Sequence, residues 1–235
     1  MTRHLFFDLD RTLWDFDRNS ELALKLLFHE LGLDEWIESF DQFHEHYKRT
    51  NSILWKEYGA GKLTKEVLRN LRFERALNDF NVNNPVTIQR MSDGYVELSP
   101  KQTTLFPEAI ETLSLLQKDG YQMHIITNGF KEVQFVKLKN SKLHGFFDVI
   151  VCSEDIGVNK PDPRIFNHAL SSAKATPNQS VMIGDDYEID VAGAQRAGIH
   201  GIHFDPLFQF PDEKHHRIRS LNELPDVLPW IFKSA

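Results

Sequence analysis

Residues 4–14 read HLFFDLDRTLW, and the rest of the chain is organised around them. The apolar half, His4 to Phe7, suits a buried parallel strand, and the run breaks at Asp8 and Asp10, where that strand should end. Residues two apart on an extended chain point the same way, so the two carboxylates converge on one small volume. Converging carboxylates repel each other, and a shared cation or a proton held on one of them relieves the repulsion. On its own an Asp-x-Asp reads as a polar strand end before a turn, because short acidic motifs arise by chance in an acidic chain. Its meaning depends on what the rest of the sequence brings to it.

At 235 residues, 41% hydrophobic and 26% charged, the chain is long enough for one large domain or a core plus a smaller one. A formal net charge of −7 with no local cluster of Lys and Arg argues against nucleic acid as a partner. The single cysteine, Cys152, cannot form an internal disulfide, and no basic segment followed by an apolar core opens the sequence. No apolar run approaches the roughly 18 residues of a membrane span, so neither a membrane nor a secreted setting is expected and the cytoplasm is the expected location.

After the opening strand, residues 15–100 read as helical throughout. Asn19 and Ser20 cap an amphipathic run from Glu21 to Leu31 with Gly32 as its stop, and further helices are expected over Ile37–Tyr58, Thr64–Asn78 and Pro85–Leu98. The aromatics of this stretch (Trp36, Phe40, Phe43, Tyr47, Trp55, Tyr58, Phe73, Phe80) fall largely at three- and four-residue spacings, as the core of a small helical bundle requires. At Leu105 the texture changes. Helices over Pro107–Lys118, Lys131–Lys139, Asp162–Ala173 and Ile189–Ala197 alternate with apolar strands over Met123–Ile126, Asp148–Cys152, Ser180–Ile183 and Gly201–Phe204. Such alternation predicts an α/β core with a Rossmann-like parallel sheet covered on both faces.

Open parallel sheets bind ligands at the carboxyl ends of their strands. The first strand ends in Asp8 and Asp10; the second in Thr127, Asn128 and Gly129; the third leads to a loop holding Lys160; the fourth ends in Gly184, Asp185 and Asp186, with Asp190 a turn later. Each has a plain explanation alone, as a cap, a solvated charge or a helix start. Four such groups at four successive strand ends are much harder to explain by chance.

These residues resemble a family. FFDLDRT at 6–12, ITN at 126–128, Lys160 within NKPDP and IGDDYEID at 183–190 look like the four ordered motifs of the haloacid dehalogenase-like phosphohydrolases. The resemblance implies a discontinuous catalytic core, 1–14 with 101–235, and an inserted helical cap over 15–100. TLWDF, TNGFKEVQ and the five-residue spacing from Asp185 to Asp190 look most like the pyrimidine 5'-nucleotidase branch. Two positions depart from the pattern: Arg11 stands where glycine or another small or polar residue is common, and Asp186 where a neutral residue is common.

The expected chemistry is Mg²⁺-dependent hydrolysis of a phosphomonoester through an aspartyl-phosphate. Asp8 is the expected nucleophile, and Asp10 the acid that protonates the leaving alcohol and the base that then activates water. Thr127, with the adjacent amides of Asn128 and Gly129, would hold the phosphoryl group, and Lys160 would supply positive charge beside it. Asp8, Asp185 and Asp10, the last through its backbone carbonyl, are the expected metal ligands, with Asp190 and Asp186 supporting them.

Trp14 and Phe16 sit where cap and core would join, and hinge packing and stacking on a nucleobase are evenly matched roles for them. The expected substrate is a small phosphorylated metabolite, in particular a pyrimidine nucleoside monophosphate. A sugar phosphate or phosphoglycolate phosphatase, or a phosphomutase, is the alternative; Asp10 argues against a 2-haloacid dehalogenase, which needs no acid for an alcohol leaving group. Elsewhere, Cys152 reads as a small buried thiol. His44 and His46 are too close in sequence to share one helix face, and His200, His203, His215 and His216 read as surface or packing residues.

Overall fold

The structure, a computed structural model, describes residues 2–208 and 216–233; His215 lies outside the described residues. It opens with β1 (His4–Phe7), buried along its whole length. The chain then doubles back: the amides of Leu13 and Trp14 both reach the Leu9 carbonyl, at 3.0 and 2.9 Å, and Arg11 takes a φ of 64°. A left-handed backbone costs glycine nothing, and Arg11 adopts it here without that freedom. Arg11 is exposed here and rests its guanidinium 4.4 Å from the centroid of the Phe16 ring.

The chain forms two compact units, residues 17–102 and residues 1–16 with 103–235. The first carries α1 (Phe16–Glu30), α2 (Phe40–Gly59), α3 (Lys65–Asn78) and α4 (Pro85–Leu98). Ser39, Thr64 and Asn84 cap the last three by accepting backbone amides, which satisfies donors that a helix start leaves unpaired. Phe28, Phe43, Tyr47 and Phe73 fill the unit's core. Trp36 does not join them: α2 starts at Phe40, three residues later than the periodicity suggests, and Trp36 is left 69% exposed.

The second unit continues with α5 (Ala109–Lys118), β2 (Gln122–Thr127), α6 (Lys131–Asn140), β3 (Val149–Cys152), α7 (Pro163–Ala173), β4 (Ser180–Gly184), α8 (Ala192–Arg196), β5 (His200–Phe204), β6 (Arg217–Ile218) and α9 (Leu224–Ile231). The six strands form one parallel sheet in the order β3-β2-β1-β4-β5-β6. Leu5 and Phe7 point into one apolar cluster and Phe6 into another, so β1 alternates between two buried faces, each covered by helices. The order reverses direction beside β1, where a crevice opens at the strands' carboxyl ends. Two features are not legible in the sequence pattern: β6 is only two residues long, and the start of the helix expected over Ile189–Ala197 is a π turn, Tyr187–Val191.

Candidate active site

β1 delivers Asp8 to the carboxyl rim, where it is 7% exposed. The ammonium of Lys160, 3% exposed, uses all three of its protons there: on Asp8 Oδ1 at 2.6 Å, on Asp190 Oδ1 at 2.7 Å and on the Ile126 carbonyl at 2.8 Å. Asn128 holds the Lys160 backbone in place, its side-chain oxygen accepting the Lys160 amide at 2.7 Å and its nitrogen donating to the Lys160 carbonyl at 3.0 Å. The side chain of Asn128 is therefore a clamp between two loops, and only its backbone amide is expected to face a phosphate.

Asp185 completes the cluster. Oxygens of Asp8, Asp185 and Asp190 all lie within 4.8 Å of one another. Burial raises the pKa of all three. For Asp8 it outweighs the pull of Lys160 and, helped by Asp190 and Asp10, pushes the value up to about 7; Asp185 is raised by burial and by Asp8 and Asp190. Lys160 moves upward because Asp190 and Asp8 outweigh the burial that opposes its charge. One fixed ammonium thus faces three carboxylates, and an all-oxygen donor set with surplus negative charge fits a hard divalent cation.

The adjacent aspartates at the end of β4 separate cleanly. Asp185 turns into the cluster, while Asp186 is exposed and caps the π turn by accepting the Ile189 amide at 3.0 Å. Its own amide donates to Asp190 Oδ2 at 3.2 Å. The π turn carries the Asp190 carboxylate against Gly184, where any Cβ would come within 2.3 Å of Asp190 Oδ2; only glycine leaves that room. His203, 1% exposed, bonds the Asp185 carbonyl at 2.9 Å and so packs beneath the site.

Thr127, 1% exposed, accepts two hydrogen bonds on its hydroxyl, from the Gly129 amide at 3.1 Å and from Gln134 Nε2 at 2.7 Å. With both lone pairs engaged, its proton is what remains for an incoming anion.

Asp10 departs from expectation. Its side chain does not crowd the other carboxylates: its Oδ2 accepts Gln134 Nε2 at 2.8 Å and its Oδ1 accepts Lys137 Nζ at 2.5 Å, so the third carboxylate of the cluster is Asp190 and a second cation serves the rim. Sequence reasoning misses Gln134 and Lys137. The one signal the sequence offers is a glutamine and a lysine three residues apart, hence on one face, of the helix that follows Thr127.

Trp14 is also corrected. Its ring is 0% exposed within the core, with the Lys137 ammonium 4.2 Å from its centroid, so no face is open to a nucleobase. Phe16 is only partly buried. Among the remaining candidates, Cys152 is fully buried, and burial pushes its thiol up to about 12. His44 stacks on Phe40 and His46 pairs with Asp79, so the two do not share a ligand site.

The doubly wound parallel sheet and the acidic rim at its switch point place the chain among Rossmann-like α/β enzymes. Within that class, residues 5–204 match the model of the haloacid dehalogenase-like hydrolases, and the chain belongs to that family. It is 32% identical to the pyrimidine 5'-nucleotidase YjjG of Escherichia coli (strain K12), over 83% of this chain and 82% of that protein. It is 31% identical to a ribulose-1,5-bisphosphate 5-phosphatase of Halopiger xanaduensis, over 97% of this chain and 100% of that protein. A crystal structure of the HAD-hydrolase YfnB from Bacillus subtilis, bound to magnesium, superposes with a TM-score of 0.86 at 30% identity, covering 97% of this chain and 99% of that one. The nucleotidase and the bisphosphate phosphatase both act on small phosphorylated metabolites, which supports phosphatase activity. No helix among the described residues is long and apolar enough to cross a membrane.

Proposed function

We propose that the protein is a magnesium-dependent phosphomonoester hydrolase that works through an aspartyl-phosphate on Asp8 and takes pyrimidine nucleoside 5'-monophosphates as substrates. The observation that carries the reading is the saturated Lys160 beside a buried Asp8. Because Lys160 fixes Oδ1 of Asp8, Oδ2 is the oxygen left to attack phosphorus. Asp10 protonates the departing alcohol oxygen, and once the phosphoryl group is on Asp8 it takes a proton from the water that releases phosphate. The Thr127 hydroxyl donates to a phosphoryl oxygen, and Lys160 balances the charge that gathers on Asp8 and the transferring group. Asp8 and Asp185, backed by Asp190 and joined by the Asp10 backbone carbonyl, would hold a magnesium ion; bound there, it screens the phosphate's charge from the nucleophile.

The pyrimidine preference rests on the similarity to the nucleotidase YjjG; of the two aromatics at the end of the first turn, Phe16 alone keeps partial exposure, with the Arg11 guanidinium over its ring. A sugar-phosphate phosphatase is the second reading, favoured by the ribulose-1,5-bisphosphate 5-phosphatase that matches nearly the whole chain. A screen of phosphorylated metabolites decides between them, with the inactive Asp8→Asn enzyme as control. On our reading dUMP, dTMP and UMP show higher kcat/KM than phosphoglycolate and hexose or pentose phosphates; sugar phosphates outranking every nucleotide would overturn it.

A further inference from the structure

Lys137 is 3% exposed and, among the described residues, pairs with one carboxylate, Asp10. Its ammonium is also held by aromatic faces, 4.2 Å from the Trp14 centroid and 5.6 Å from that of Phe16. Trp14 is itself tied into the turn that carries Asp10: its amide bonds the Leu9 carbonyl at 2.9 Å, and its carbonyl accepts the Arg11 amide at 2.9 Å. Carboxylate, ammonium and ring are therefore fixed to one another at both ends. On the same face of α6, one turn earlier, Gln134 uses one amide nitrogen for both Asp10 Oδ2 and Thr127 Oγ1, and its Oε1 is buried without a partner among the described residues. A fully buried amide is kept with an unsatisfied oxygen only where its donors are needed, since that oxygen costs about 1–3 kcal/mol.

We infer that Lys137 is a positioning residue for Asp10, with Trp14 as its platform and Gln134 as the second arm, so that α6 sets the direction in which the proton-transferring carboxyl points. The inference rests on the phosphatase reading. Each of its oxygens has a donor on α6, so when Asp10 takes up a proton one of these bonds opens, the proton passes to the leaving-group oxygen, and the carboxylate left behind recovers the bond. A misaimed acid matters most when the leaving alkoxide is a strong base, and hardly at all when it departs readily unprotonated. A purely structural ion pair would slow all substrates alike.

The test compares kcat and KM for p-nitrophenyl phosphate and for a simple alkyl phosphate in the wild type, Lys137→Met and Lys137→Arg, with thermal unfolding of each. For Lys137→Met the alkyl kcat is expected to fall about tenfold further than the aryl kcat, with KM changed by less than about threefold and part of the loss restored by arginine. Equal losses for both esters, or an unchanged kcat, would overturn the role of Lys137 while leaving the phosphatase reading intact. A wild type inert toward every phosphate ester would overturn both. Should Lys137→Met not fold, Trp14→Phe decides: it thins the platform without emptying the core, and absence of the same alkyl-selective loss there would overturn the inference.

Discussion

Lys160 Nζ lies 2.6 Å from Asp8 Oδ1 although 152 residues separate the two in sequence, and neither side chain is more than 10% exposed. A buried cation whose removal strands two carboxylates is a structural element as well as a chemical one. Lys160→Met should abolish phosphate release and also destabilise the fold by about 3 kcal/mol, the usual cost of breaking a buried pair from one side. Asp8→Asn should be equally inactive yet no less stable, because it leaves Lys160 paired with Asp190 and removes one member of a repelling cluster. Urea unfolding of the two variants checks this; equal destabilisation would contradict the charge balance described.

Asp185 and Asp186 should separate in a metal titration. Magnesium is expected to raise the melting temperature of the wild type and of Asp186→Ala, and to leave Asp185→Asn unmoved. Asp186→Ala should instead lose about 1 kcal/mol of stability, as an exposed N-cap does. A retained magnesium shift in Asp185→Asn would move the ligand assignment away from that residue.

Far from the rim, His4 and His124 stack at 5.4 Å and share a 3.1 Å contact between ring nitrogens. Burial lowers both, His124 to about 4 with His4 adding to the effect, while Asp148 partly opposes the shift of His4. A histidine whose folded pKa lies below its unfolded 6.5 contributes stability that is fully present above 6.5 and is lost as pH falls toward the folded value, because the unfolded chain takes up the proton first. Unfolding free energy should thus drop between pH 7 and pH 5, by about 2 kcal/mol from His124 alone. His124→Phe should flatten that segment of the profile. An unaltered slope in the variant would place the acid sensitivity elsewhere.

Gly129 approaches Gln134 so closely that a Cβ would lie 1.9 Å from its Nε2. Gly129→Ala should push this amide off Thr127 and Asp10, lowering kcat and raising KM for phosphate esters together by about tenfold each, with little change in the far-ultraviolet circular dichroism. An alanine enzyme with wild-type kinetics would show that the amide is not needed where it stands.

Much of the catalytic unit is legible in the chain itself. Strand and helix periodicities are local, and a parallel sheet places every strand's carboxyl end on one rim, so Asp8, Thr127, Lys160 and Asp185 can be grouped by asking what each strand ends in. The likeness of their motifs to a family adds the roles. What is not legible depends on side-chain direction and on distant segments. Asp185 and Asp186 are neighbours in a turn, and which of them faces inward is decided by the π turn that swings Asp190 onto Gly184. Trp14 stands just past β1 in sequence, which carries no account of what covers a ring; the fold buries it under Lys137. Lys137 and Gln134 have no visible link to Asp10, 127 and 124 residues away, until the fold brings α6 against the turn that follows β1. The sequence alone determined which strand-end groups reach the rim, because backbone periodicity and strand polarity are local properties; only the tertiary structure decided which helix side chains join them and which group holds which, because those contacts are made between segments that have no neighbour relation in the chain.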